Sequence, residues 1–175
     1  MTTLAIIGAS YLQRPLVEKA KAMGLRTICF AWAEGAVCKD LVDVFYPISI
    51  VEKEHILAIC QLEHIDGICT IASDVAAPTV AYVAEQMGLV ANTYEASLRA
   101  NNKWLMRQAF TSADVPCPQH MCVTSIDMDT IQAQMNLPLI VKPSDRSGSL
   151  AVNKITDWAQ LPSAIQEAQT ASFCG

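Results

Sequence analysis

Two neighbouring stretches decide the fold: Thr3-Leu4-Ala5-Ile6-Ile7-Gly8, and after it Pro15-Leu16-Val17-Glu18-Lys19-Ala20-Lys21-Ala22-Met23-Gly24. The first is apolar without alternation and has the length of a strand covered on both faces, the mark of a parallel sheet. The second places Leu16, Val17, Ala20 and Met23 at helical spacing, with Gly24 where a helix-ending glycine belongs. Another apolar run over residues 25–31 completes a right-handed βαβ crossover. Working outward, the pattern predicts a third strand over 43–48, a helix over 52–64 and a fourth strand over 67–71. A helix over 76–87 closed by Gly88 and a short fifth strand over 89–91 follow. The expectation is an α/β, Rossmann-like doubly wound parallel sheet over residues 1–93.

After residue 93 the character changes, and residues 94–175 read as a second, α+β domain. A helix is predicted over 101–112, broken by Asp114-Val115-Pro116-Cys117-Pro118. Then come a strand over 119–124, a helix over 126–135, a strand over 139–142, a polar glycine loop, a strand over 150–155 and a last helix to about residue 171. No internal repeat interrupts this order.

Composition excludes several function classes. Among 175 residues, 52% are apolar and 17% charged, which rules out a disordered tail. Twelve Lys and Arg face 17 Asp and Glu, so the net charge of −5 gives nucleic acid no electrostatic footprint. No apolar run reaches the roughly 20 residues a bilayer requires. Seven cysteines, at 29, 38, 60, 69, 117, 122 and 174, are an odd count without regular spacing, which predicts reduced thiols and a cytoplasmic location. The triplet Cys117, His120 and Cys122 lacks a second paired cluster, and strand alternation separates Cys117 from the other two, so it is not read as a zinc site.

Ligands of a doubly wound sheet bind beyond the carboxyl ends of its strands. There the chain offers Gly8, Ser10 and Gln13 after strand one, in a loop whose free amides are expected to face the positive end of the following helix, and Ser73 and Asp74 after strand four, which read equally as a helix N-cap or a substrate contact. The first loop is not Gly-x-Gly-x-x-Gly, and Trp32 stands where a dinucleotide fold places a ribose-binding acid, which disfavours a nicotinamide cofactor. The second half carries Lys103 in an amphipathic helix and Lys142 at the end of an apolar strand. A lysine there requires an anion. Directly after it, Ser144-Asp145-Arg146-Ser147-Gly148-Ser149 is a small-residue loop of the kind that wraps phosphates through backbone amides.

Five segments in order resemble the N-terminal part of ATP-grasp enzymes, near the carbamoyl-phosphate-synthase-like and biotin-carboxylase-like branches. They are residues 4–13 with 20–24; Ile65-Asp66-Gly67-Ile68-Cys69-Thr70-Ile71-Ala72-Ser73-Asp74; residues 81–89; Asn102-Lys103-Trp104-Leu105-Met106-Arg107 with Val115-Pro116-Cys117-Pro118; and residues 139–149. The resemblance implies a pre-ATP-grasp domain over 1–93 and the first portion of an ATP-grasp domain over 94–175. It implies that Lys103 and Lys142 bind ATP phosphates, with Ser147, Gly148 and Ser149 closing over them. Gly8, Ser10, Gln13, Ser73 and Asp74 would help hold a small carboxylate substrate. The implied activity is ATP- and magnesium-dependent activation of that carboxylate as an acyl phosphate, which an amine or other nucleophile attacks.

Departures from the pattern are Asn102 for the usual Asp, Asp114 for a helix-capping Gly, and Leu150-Ala151 for a frequent Arg/Lys-Gly pair. The resemblance places the magnesium ligands beyond residue 175, so this chain alone is expected not to catalyse ligation, and its second half to leave an apolar face that favours a homodimer or disorder. The alternative reading is a non-catalytic Rossmann-like module for a small ligand or partner chain.

Overall fold

A computed structural model describes residues 1–173, so the seventh cysteine, Cys174, lies outside the described residues. The chain divides into two compact units, the first spanning Met1–Asn101 and the second starting at Asn102.

In the first unit, β1 (Thr3–Ile7), β2 (Arg26–Phe30), β3 (Val44–Tyr46) and β4 (Gly67–Cys69) form a parallel sheet in the order β3-β2-β1-β4. The helices are α1 (Arg14–Ala22), α2 (Lys53–Leu62), α3 (Ala77–Met87) and α4 (Tyr94–Asn101). Successive strand residues point to opposite faces, and both faces are covered. Ala5, Ile7, Ile28 and Phe30 pack with Ile56, Cys60, Val83 and Ala84 of α2 and α3. Ile6 and Cys29 pack with Val17 and Ala20 of α1 on the other face. This two-sided burial is what the unbroken apolar runs demand.

Glycines end two helical paths as expected: Gly24 has φ +73°, and Gly88 caps α3 at φ +66°. The expected fifth strand over 89–91 is absent among the described elements; Leu89 packs on the core, but Val90 is fully exposed and pairs with no strand. The expected helix over 101–112 is instead two helices, with α4 starting seven residues earlier at Tyr94. Lys53 of α2 explains why α4 belongs to the first unit. Its Nζ donates to the Tyr94 hydroxyl (2.7 Å) and lies 4.6 and 4.8 Å from the ring centroids of Tyr94 and Tyr82. Glu85 accepts from the Tyr94 amide at 2.7 Å. The structural division therefore falls after Asn101, whereas the change of sequence character falls near residue 93.

The second unit holds α5 (Lys103–Ser112), α6 (Met128–Gln134), an antiparallel pair of β5 (Leu139–Val141) with β6 (Asn153–Ile155), and α7 (Leu161–Ala171). Its core joins Ile131, Ile155, Leu161, Ala164 and Ile165. The segment 119–124 is not a strand: Met121 and Val123 alternate inward onto this core, which gives the strand-like pattern, but no ladder forms with another described strand. The strand expected from residue 150 is shortened to β6, because Ser149 and Ala151 have φ values of +57° and +51°. Before α7, Asp157 caps a 3-10 turn in a reciprocal pair with Gln160. Among the described residues no helix is long and apolar enough to cross a membrane.

Candidate functional site

The loop after β1 lies at the point where strand order reverses, with β2 on one side of β1 and β4 on the other, the usual ligand crevice of such sheets. Here the loop is closed on itself. Gly8 has φ +101°, a conformation glycine reaches without steric cost, and its amide donates to Phe30 O at 2.8 Å. Gln13 is 3% exposed. Its Oε1 accepts from the Ser10 amide (3.0 Å) and hydroxyl (2.7 Å), and its Nε2 donates to Ile71 O after β4 at 2.6 Å.

Gln13 therefore ties the first and fourth loops together. Of the loop amides expected to be free, that of Gly8 pairs with Phe30 O of β2, and those of Ser10, Leu12 and Gln13 pair within the loop. Two thiols support it from below, Cys29 Sγ donating to Gly8 O (3.1 Å) and Cys38 Sγ to Ser10 O (3.3 Å). Burial pushes the Cys29 thiol up to about 12, so it stays a protonated donor. Ser73 is half-buried and Asp74 exposed; the Asp74 carbonyl, not its side chain, accepts from Ala77 at the start of α3.

The second unit contains a groove of about 590 Å³ that Lys103 and Lys142 both line. Asn102 fixes the start of α5 by accepting from the amides of Trp104 and Leu105, each at 3.0 Å, so Asn performs the capping that Asp would. Lys103, the next residue, is anchored twice to the loop after β5: its amide donates to Ser144 O (2.8 Å) and its Nζ to Arg146 O. Lys142 follows β5 directly and is exposed. Asp145 holds the same loop against the end of α7, accepting from Ser172 Oγ and the Phe173 amide, both at 2.9 Å. Ser147, Gly148 and Ser149 lie beyond these anchors, exposed, with Gly148 and Ser149 in the left-handed region, and they do not line the groove.

Sequence reasoning missed the rest of the lining. Trp104 and Arg107 project from α5, and Gln119, His120 and Cys122 come from the segment after it. Among the described lining residues the charged or titratable ones are Lys103, Arg107, His120, Cys122 and Lys142, and none is a carboxylate. In a chain of net charge −5 this is a basic enclave. Spacing of one turn from Lys103 could have found Arg107; His120 and Cys122 were weighed only as zinc ligands, not as groove lining. The groups suit the oxygens of a polyphosphate. They do not suit magnesium, since the described residues contain no group of three or more His, Cys, Asp or Glu able to hold a metal ion.

No family model matches the chain. It is 33% identical over 75 residues to D-alanine–D-alanine ligase B of Chromobacterium violaceum, a match covering 42% of this chain and 25% of that protein. The fold matches phosphoribosylglycinamide synthetase from Anaerococcus prevotii with a TM-score of 0.71 at 22% identity, over 98% of this chain and 43% of that one. N5-carboxyaminoimidazole synthetase from Staphylococcus aureus, complexed with ADP, matches with a TM-score of 0.75 at 20% identity, over 97% and 45%. The chain thus spans less than half the length of these proteins. In local sequence and in fold, it is similar to part of these ATP-grasp enzymes.

Proposed function

We propose that this chain is the phosphate-binding N-terminal portion of an ATP-dependent ligase that activates a small carboxylate. The observation that carries the reading is the groove itself, which brings Lys103 and Lys142 together from segments 39 positions apart, with no carboxylate among its described lining residues. The two ammonium groups neutralise phosphate charge, and a site that excludes water strengthens them. Ser147, Gly148 and Ser149 supply the cover over the phosphates. In the first unit, taken by itself, Gly8, Ser10, Ser73 and Asp74 are the proposed carboxylate contacts, on loops that Gln13 ties together.

In the reaction, a carboxylate oxygen attacks the γ-phosphorus of ATP and ADP leaves; an amine then attacks the acyl phosphate and releases inorganic phosphate. The lysines act by position and charge throughout. Magnesium, when bound in a complete enzyme, screens the same phosphates; no residue described here is assigned to it. The cytoplasm, with its ATP and its reducing poise, suits the chemistry and the free thiols.

Competition tests the reading. Saturation-transfer NMR on this chain should show millimolar ATP binding that tripolyphosphate displaces and adenosine does not. Displacement by adenosine but not by tripolyphosphate would replace a phosphate-led site with a nucleoside site. The chain alone should give no substrate-stimulated ADP release; such release, lost in Lys142→Ala, would assign catalysis to this chain by itself.

A further inference from the structure

We propose that His120 is a further, proton-dependent contact for the anion in the groove of the second unit. This rests on the reading of that groove as a polyphosphate site. His120 Nδ1 lies 3.1 Å from the carbonyl oxygen of Pro118. A carbonyl only accepts, so Nδ1 carries the hydrogen and Nε2 is the remaining ring position. The ring is held from a second side by Trp104, in an edge contact with centroids 5.6 Å apart. Trp104 follows Lys103 on α5, so the contact fixes the imidazole beside the helix that supplies one of the two lysines.

In the neutral ring Nε2 is an acceptor and offers a phosphate oxygen nothing. Protonated, it becomes a donor with charge, and hydrogen bonds of that kind are roughly twice as strong as neutral ones. The surroundings set the direction of the effect. The charged and titratable residues that line the groove together with His120 are Lys103 and Arg107 from α5, Lys142 after β5, and Cys122 on its own segment. An anion bound beside the ring favours its charged form. Anion binding and protonation of His120 therefore promote each other, as linkage requires. The nucleotide is held more tightly on the acid side of the range in which imidazole titrates.

The chain has three histidines, His55 and His64 in the first unit and His120 in the second, so the ring signals can be resolved by NMR, with His120→Gln assigning the third. Rings are titrated from pH 5 to 8.5 with and without 20 mM tripolyphosphate, on the order of ten times the millimolar affinity expected here. The expected result is that the His120 midpoint moves upward by at least half a unit while those of His55 and His64 stay in place. A control follows the backbone amides of Lys103 and Lys142. If these amides respond to tripolyphosphate but the His120 midpoint does not move, the histidine contact is wrong and the groove reading stands. If neither responds, both are wrong. Trp104→Leu should reduce the shift without removing it, since the Pro118 carbonyl still holds the ring.

Discussion

Two loops of this chain follow an apolar strand and carry a glycine, and they end in opposite arrangements. After β1, the backbone donors of Gly8, Ser10, Leu12 and Gln13 are used within the unit, and buried Gln13 locks the loop to the carbonyl after β4. After β5, the loop contributes carbonyls, from Ser144 and Arg146, to a lysine on a neighbouring helix, while its glycine and flanking serines remain exposed. A glycine beyond a strand is thus no measure of anion binding. What decides is where the donors go and which charges stand nearby.

Gln13→Leu carries the largest expected effect. It removes the partner of the Ser10 amide, the Ser10 hydroxyl and the Ile71 carbonyl at once, in a nearly buried site. A buried polar group left without a partner costs about 1–3 kcal/mol, and partial access of water to the loop sets the expected loss at about 2–4 kcal/mol. Urea titration would show a lower midpoint with an unchanged slope. A loss under about 0.5 kcal/mol would mean that the first loop is held by something other than Gln13.

Next in size is Asn102→Ala, which strips the cap from α5 and should destabilise the second unit by about 0.5–2 kcal/mol. Asn102→Asp should be neutral or slightly stabilising, because a carboxylate caps equally well and suits the positive helix end. Thermal melts of the two variants make the comparison directly.

The same contrast shows how much was legible in the sequence. The strands and helices through α3 follow from apolar runs that must be buried on both faces and from glycines at the ends of α1 and α3. The segment 89–91 reads as a strand only because Leu89 and Val90 are both apolar; Val90 is in water. The start of α4 was hidden because its attachment depends on Lys53 and Tyr82, which are distant in sequence. Lys103, read within an amphipathic helix, and Lys142, read as closing an apolar strand, both line one groove. His120 was read only as part of the Cys117, His120 and Cys122 triplet, because its place in the groove depends on Trp104 rather than on its neighbours in the chain. Asp114, which stands in place of a helix-capping glycine, takes the left-handed region at φ +52°, a conformation Asp can visit.

Ala151 gives a smaller effect that sharpens the comparison from the side of the second loop. It sits at φ +51°, where an alanine is strained by roughly 1 kcal/mol or more. Ala151→Gly should stabilise the fold by up to about 1 kcal/mol, less the entropy a glycine loses on folding. A destabilised variant in a chemical melt would show that the loop does not hold this conformation in solution.

The smallest effect lies in the acid limb of stability. Asp43 accepts from the Thr27 amide (2.7 Å) and hydroxyl (2.8 Å) and pairs with Lys21, and these bonds hold its carboxyl below the usual 3.8. A depressed carboxylate contributes stability above its unfolded value that is lost as pH falls through the folded one. Stability should therefore fall below about pH 4, and Asp43→Asn should make that fall shallower. Equal slopes for the two proteins would remove Asp43 from the acid response.

The central claim is that ATP meets this chain through its phosphates, in the groove of the second unit and not at the first loop. Backbone chemical-shift mapping with millimolar ATP tests it most directly, on the wild type, Lys103→Ala and Lys142→Ala. A hydrogen bond to a charged group contributes about 1.5–3 kcal/mol, so each substitution should weaken binding roughly 10- to 150-fold. The predicted result is a set of shifts centred on Lys103, Lys142 and Ser144 that fades in both variants. Shifts centred instead on Gly8, Ser10 and Ser73, unchanged in both variants, would contradict the account.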